Sequence, residues 1–105
     1  MEHNPLKNII EKVVQMVFVS HIEKDNKKNY LERLAKIDVK LLESMCQSSV
    51  AKITCTDMKY IICFCADISV RDISLLFNIE PASVHTVRYR IKKKFSKENT
   101  FRTIL

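Results

Sequence analysis

Ile53–Phe95 reads ITCTDMKYIICFCADISVRDISLLFNIEPASVHTVRYRIKKKF, two helix-start signals followed by a longer basic helix. Thr54-Cys55-Thr56-Asp57 places a hydroxyl three residues before an acid. That is capping-box spacing: Thr54 can accept from a backbone N–H while Asp57 favours the positive helix start. The helix it opens has Met58, Ile61, Ile62 and Cys65 as its apolar side. Ser69-Val70-Arg71-Asp72 repeats the device and opens a short helix with Ile73, Leu76 and Phe77 inward. Asn78-Ile79-Glu80 is the turn, and Asn78 is the residue best able to take a positive φ where glycine is lacking. Pro81 begins the next helix, which the pattern carries to Lys94 or Phe95.

The chemistry of that last helix is divided around its axis. At about 100° per residue, with Val84 as zero, Val87 falls at about −60°, Ile91 at about −20° and Phe95 at about +20°. The opposite side holds Tyr89 at about 140°, Lys93 at about 180°, Thr86 at about 200° and Arg90 at about 240°. His85 lies on a flank at about 100°. No acid occurs between Glu80 and Glu98, so Arg88, Arg90, Lys92, Lys93 and Lys94 go without offsetting charge along the helix. A helix meant only for solvent more often carries Glu/Lys pairs at i,i+4. Opposite phosphates, uncompensated cations become a driving force through counterion release. Short groups (Ser83, His85, Thr86) lie in the first turns, where they can approach base edges. The long basic chains follow, in reach of flanking phosphates. A recognition helix entering the major groove by its N-terminus has this order.

Composition limits the alternatives. The 105 residues contain no glycine and two prolines, Pro5 and Pro81. Hairpins depend on glycine-bearing turns, so the chain is expected to be all-α. Phosphate-binding loops of the dinucleotide or Walker type are excluded, because the residues they need are missing. The net charge is +6, and residues 69–105 carry eight Lys/Arg against three Asp/Glu, compared with ten against nine in residues 1–68. Such asymmetry by itself fits either a polyanion partner or a solvated basic face. No signal peptide opens the chain, and the apolar run Val13–Val19 is too short to span a bilayer, so a cytoplasmic location with no membrane contact is expected. Cys46, Cys55, Cys63 and Cys65 then read as reduced thiols acting as small buried hydrophobes. Cys63 and Cys65 point about 200° apart on a helix and cannot chelate one ion, so no metal and no cofactor is expected.

Upstream, Asn4-Pro5 starts a helix in which Leu6, Ile9, Ile10, Val13, Val14, Val17 and Phe18 recur at three-four spacing. The polar run Glu23–Asn29 reads as a connection. A second helix carries Leu31, Leu34, Ile37, Leu41, Leu42 and Met45 and ends near Gln47-Ser48-Ser49. Phe101, Ile104 and Leu105 suggest a last short helix. The expected organisation is a helical pair over 1–50 and a helix-turn-helix domain of about four helices over 51–105.

The segment 53–95 resembles the LuxR-type helix-turn-helix domains, output domains of bacterial transcription factors. The family's threonine-led start with an acid three residues on is matched by Ile53, Thr54 and Asp57. Its "S-x-K-E-I-A" is matched by Ser69-Val70-Arg71-Asp72-Ile73-Ser74, its "L-x-I-S-x-x-T-V" by Phe77–Val84, and its "I-x-x-K-L" by Ile91–Phe95. SVHTVRYRIKKKF further resembles a subgroup in which the output domain often follows tetratricopeptide repeats, a membrane span and a helical linker. The resemblance implies a winged-helix-like DNA-binding fold and a DNA-binding regulator, bound to double-stranded DNA as a homodimer. It implies base contacts from His85, Thr86 and Tyr89, to which the basic helix adds Arg88. It implies phosphate contacts from Arg71, Ser83, Arg90 and Lys93, extended along the cationic helix to Lys92 and Lys94. Three positions depart from the pattern: Asp67 stands for a usual glycine, Glu80 for a capping serine and Val87 for a histidine.

Two other readings stand beside this one. The basic helix could grip an acidic protein partner such as RNA polymerase. An enzyme finds no support in the sequence, since no Ser/His/Asp or Cys/His set has motif context. The first helix is either a dimer surface or part of an ordinary core.

Overall fold

The computed structural model describes residues 5–97 and Leu105, and every described element is helical. The order is α1 Pro5–Val19, α2 Lys24–Ala35, α3 Val39–Gln47, α4 Cys55–Cys65, α5 Val70–Phe77 and α6 Pro81–Lys92. The chain is therefore all-α, as its glycine-free composition requires. The molecule is flattened, 40 × 36 × 19 Å.

α4 is the hub. Tyr60, Ile61, Ile62, Cys63 and Phe64 are buried in succession, so every side of the helix is covered. α1 packs on it with Leu6, Ile10, Val13 and Val17, and also contacts α2 and α3. α5 lies against α6, and its Phe77 ring stacks on Tyr60 at 3.9 Å between centroids. One core cluster runs from Leu6 to Leu105 and crosses the expected boundary at residue 50 without a break. Tyr30 on α2 also donates to the buried Asp72 carboxylate on α5 at 2.5 Å, and Arg33 donates to the carbonyls of Ala66 and Asp67. Burial, and secondarily Asp72, push the Tyr30 hydroxyl pKa upward. The N-terminal stripe as far as Val17 is thus core within one chain, whereas Phe18, its last member, is exposed.

The N-terminal half differs from its expected organisation in two places. Glu23–Asn29 is not a connection: Glu23 caps α2 by accepting from the N–H groups of Asp25 and Asn26, and the polar run forms its first turns. Only Tyr30 and Leu34 of α2 are buried, so a largely solvated helix gives little apolar period to read. The expected second helix is also two helices. α2 ends at Ala35 with Lys36 in the cap position, and Asp38 caps α3 by accepting from Leu41 N–H at 3.0 Å. The apolar series Leu34, Ile37, Leu41, Leu42 runs through this break and conceals it.

Both helix ends at the heart of the motif use a left-handed residue. Asp67 has φ 55° and Asn78 has φ 53°. After α4, Ile68 N–H reaches Cys63 O at 3.0 Å; after α5, Ile79 N–H reaches Ser74 O at 3.1 Å. These six-to-one bonds are Schellman closures, with Asp and Asn in the position usually held by glycine. Of the four thiols, Cys55 is exposed, contrary to the reading of all four as buried hydrophobes. Burial pushes Cys63 up to about 12 and Cys46 and Cys65 up to about 11. Phe101 and Ile104, which suggest a last short helix, lie outside the described residues; Leu105 is buried.

Candidate nucleic-acid interface

The site begins with two capped helices that fix the orientation of a third. Thr54 and Asp57 form the reciprocal capping box: Asp57 N–H donates to Thr54 Oγ1 and Thr54 N–H to Asp57 Oδ2, both at 3.0 Å. Ser69 Oγ accepts from Asp72 N–H at 3.1 Å and starts α5. The left-handed Asn78 ends α5, and Ile79 and Glu80 lead directly to Pro81, the first residue of α6. Glu80 occupies the cap position of α6 and makes no side-chain cap bond, so this helix start relies on the proline's fixed φ.

α6 is anchored by one side. Val84, Ile91 and Phe95 are essentially fully buried and Val87 is half-buried against the same core, matching the predicted apolar stripe. The helix ends at Lys92, two or three residues before the expected end, and Lys93–Phe95 continue as turns. On the other side His85, Thr86, Tyr89, Arg90 and Lys93 are exposed, with 61% of Tyr89 open to solvent. Lys93 Nζ lies 4.5 Å from the centre of the Tyr89 ring, so the aromatic and the cation stand together on the surface. Thr86 Oγ1 donates to Ala82 O at 3.3 Å, and Ser83 beside it is exposed. Arg71, in the first turn of α5, is exposed, and Lys92 is half-buried.

Two of the expected contact residues are turned elsewhere. Arg88, expected to face bases, lies over the Phe64 ring at 4.8 Å, and its Nε donates to the carbonyl of Leu105. Its position, four residues after Val84 and three before Ile91, puts it beside the buried stripe, where a long side chain finds the core edge nearer than solvent. Lys94, expected at phosphate, pairs instead with Asp57 at 2.5 Å and donates to Lys52 O at 3.0 Å, which fixes the end of α6 to the start of α4. Burial raises the Asp57 pKa, but Lys94 and the Thr54 donors outweigh it and hold the carboxyl below the usual aspartate value. Val50 N–H completes this corner by donating to Lys94 O at 2.8 Å. Sequence reasoning missed this ion pair; its signal was the acid at the third helical position of α4, which the capping box alone seemed to explain.

The exposed surface of the last helix is thus a cationic face bearing Ser83, His85, Thr86, Tyr89, Arg90 and Lys93, and Arg71 is a further exposed cation on α5. No cluster of three or more His, Cys, Asp or Glu side chains suited to a metal ion occurs among the described residues. No described helix is long and apolar enough to cross a membrane. No protein-family model, curated protein or solved structure matches the chain.

Proposed function

We propose that the chain is a DNA-binding transcriptional regulator that inserts α6 into the major groove, in the manner of the LuxR-type domains its sequence resembles. The observation that carries this reading is the division of α6. Its apolar side is locked in the core, while His85, Thr86, Tyr89, Arg90 and Lys93 face solvent with no acid on the helix to neutralise them. In this reading His85, Thr86 and Tyr89 meet base edges, because they occupy the exposed face from the first turns onward. Arg71, Ser83, Arg90, Lys92 and Lys93 meet phosphates and fix the register. Arg88 and Lys94 hold the helix in place instead. One α6 covers a half-site, so two copies are expected on an operator.

The test is fluorescence anisotropy with random and enriched duplexes across a salt series. Binding that weakens steeply with salt, and that loses preference for the enriched sequence in Tyr89→Ala at unchanged thermal stability, supports the reading. Absence of duplex binding at about 50 mM salt, where phosphate contacts are strongest, overturns it. Capture of an acidic protein by the same face without affinity for DNA would put an interaction module in its place.

A further inference from the structure

A second surface lies on α1 and α2, in a part of the chain that contributes nothing to α6. Phe18, Leu31 and Ala35 line an open groove of about 680 Å³, bordered by Lys24, Lys28, Asp25 and Glu32. Its rim is a fixed feature: Lys27 Nζ donates to Phe18 O at 3.0 Å and to Ser20 O at 2.8 Å, tying the start of α2 to the end of α1. Phe18 is 63% exposed and Val19 64%, although the remainder of α1's stripe is buried or half-buried. The groove is therefore an apolar surface left over after the monomer core is complete.

Its charges indicate what covers it. On α2 at about 100° per residue, Lys24, Lys28 and Ala35 lie within about 60° of Leu31, with Glu32 next on the same flank. A polyanion would meet Asp25 and Glu32, and a cationic partner would meet Lys24 and Lys28. A second copy of the same face meets its complement. When two α2 helices cross antiparallel about a twofold axis between Lys28 and Glu32, residues on one flank face the same flank of the partner. Each Lys28 then stands opposite the other copy's Glu32, the two helix dipoles oppose, and the exposed Phe18 side chains face the partner's groove.

We propose that this groove is a homodimer interface, formed by antiparallel apposition of α2 around Leu31 with reciprocal Lys28–Glu32 pairs. It stands on the groove and its charges, independently of any DNA contact, and none of the residues lining the groove belongs to α6.

Sedimentation of the full chain over a concentration series tests it with the natural chain and three variants. The natural chain should dimerise. Lys28→Glu and Glu32→Lys should each dimerise roughly tenfold more weakly, because each puts like charges face to face in both reciprocal pairs. Mixing the two variants should restore association, since every pair is then again of opposite sign. Phe18→Ala, at an exposed position, should weaken association with circular dichroism unchanged. A natural chain that stays monomeric at all concentrations overturns the proposal. So do charge variants that associate like the natural chain, or a mixture no tighter than its components. A chain that dimerises in this way but ignores DNA removes the DNA reading and leaves this one intact.

Discussion

The two sides of α6 carry the same residue types for different ends. Arg88 and Lys94 belong to the inner side: one covers Phe64 and bonds Leu105 O, the other is paired with Asp57. Arg90 and Lys93, two residues on from Arg88 and one before Lys94, stand in solvent. The difference shows that in a cationic helix the charge count says little about the charge available to a partner. Rotation about the axis decides which cations are used to build the fold. The helix can therefore be unbalanced in charge and still be firmly seated.

Substitutions at six positions should separate the two sides. The largest effect is expected for Ile91→Ala, which opens a cavity under α6. The loss should be about 2–5 kcal/mol in denaturant unfolding, whereas Tyr89→Ala on the outer side should stay within about 0.5 kcal/mol. Equal losses would mean that α6 is not seated by one side. Next, Asp57→Ala removes half a capping box and leaves the Lys94 ammonium without its carboxylate, for a cost of about 2 kcal/mol.

The same carboxylate gives a pH signature. Its folded pKa is depressed, so its contribution is present above the unfolded value and is lost as pH falls through the folded one. The stability gap between the natural chain and Asp57→Asn should be constant near neutrality and close progressively below about pH 4. A gap that widens in acid would contradict the Lys94 pairing. Smaller again, Arg88→Ala should cost about 1 kcal/mol of stability, from loss of the ring contact, and leave sequence preference on duplex DNA unchanged. The smallest effect is one of slope: Lys93→Ala should reduce the salt dependence of duplex binding by about 1, and Lys94→Ala should leave it nearly unaltered. Equal slopes would return Lys94 to the outer side.

Legibility in the sequence followed the range of the interactions. The starts of α4, α5 and α6 were readable because caps act within three residues: Thr54 with Asp57, Ser69 with Asp72, and Pro81 at the first turn. The left-handed Asn78 was readable for the same reason. The apolar stripe of α6 followed from periodicity alone. α2 was not legible, because its solvated surface shows almost no period and Glu23, an uncommon cap, begins it. The break at Asp38 was masked by apolar residues that continue through it.

The sequence by itself determined that this protein is a glycine-free set of helices with a short capped helix, a tight turn and a basic helix beyond it. Local hydrogen bonds and the 3.6-residue period are written into neighbouring residues, which is why they can be read without coordinates. Only the tertiary structure decided which cations remain free and how the two acids of the capped starts are employed. Asp57 faces Lys94 across 37 residues and Asp72 faces Tyr30 across 42. Contacts over such separations depend on how the helices pack together, and packing is a property of the whole core that no short window of sequence contains.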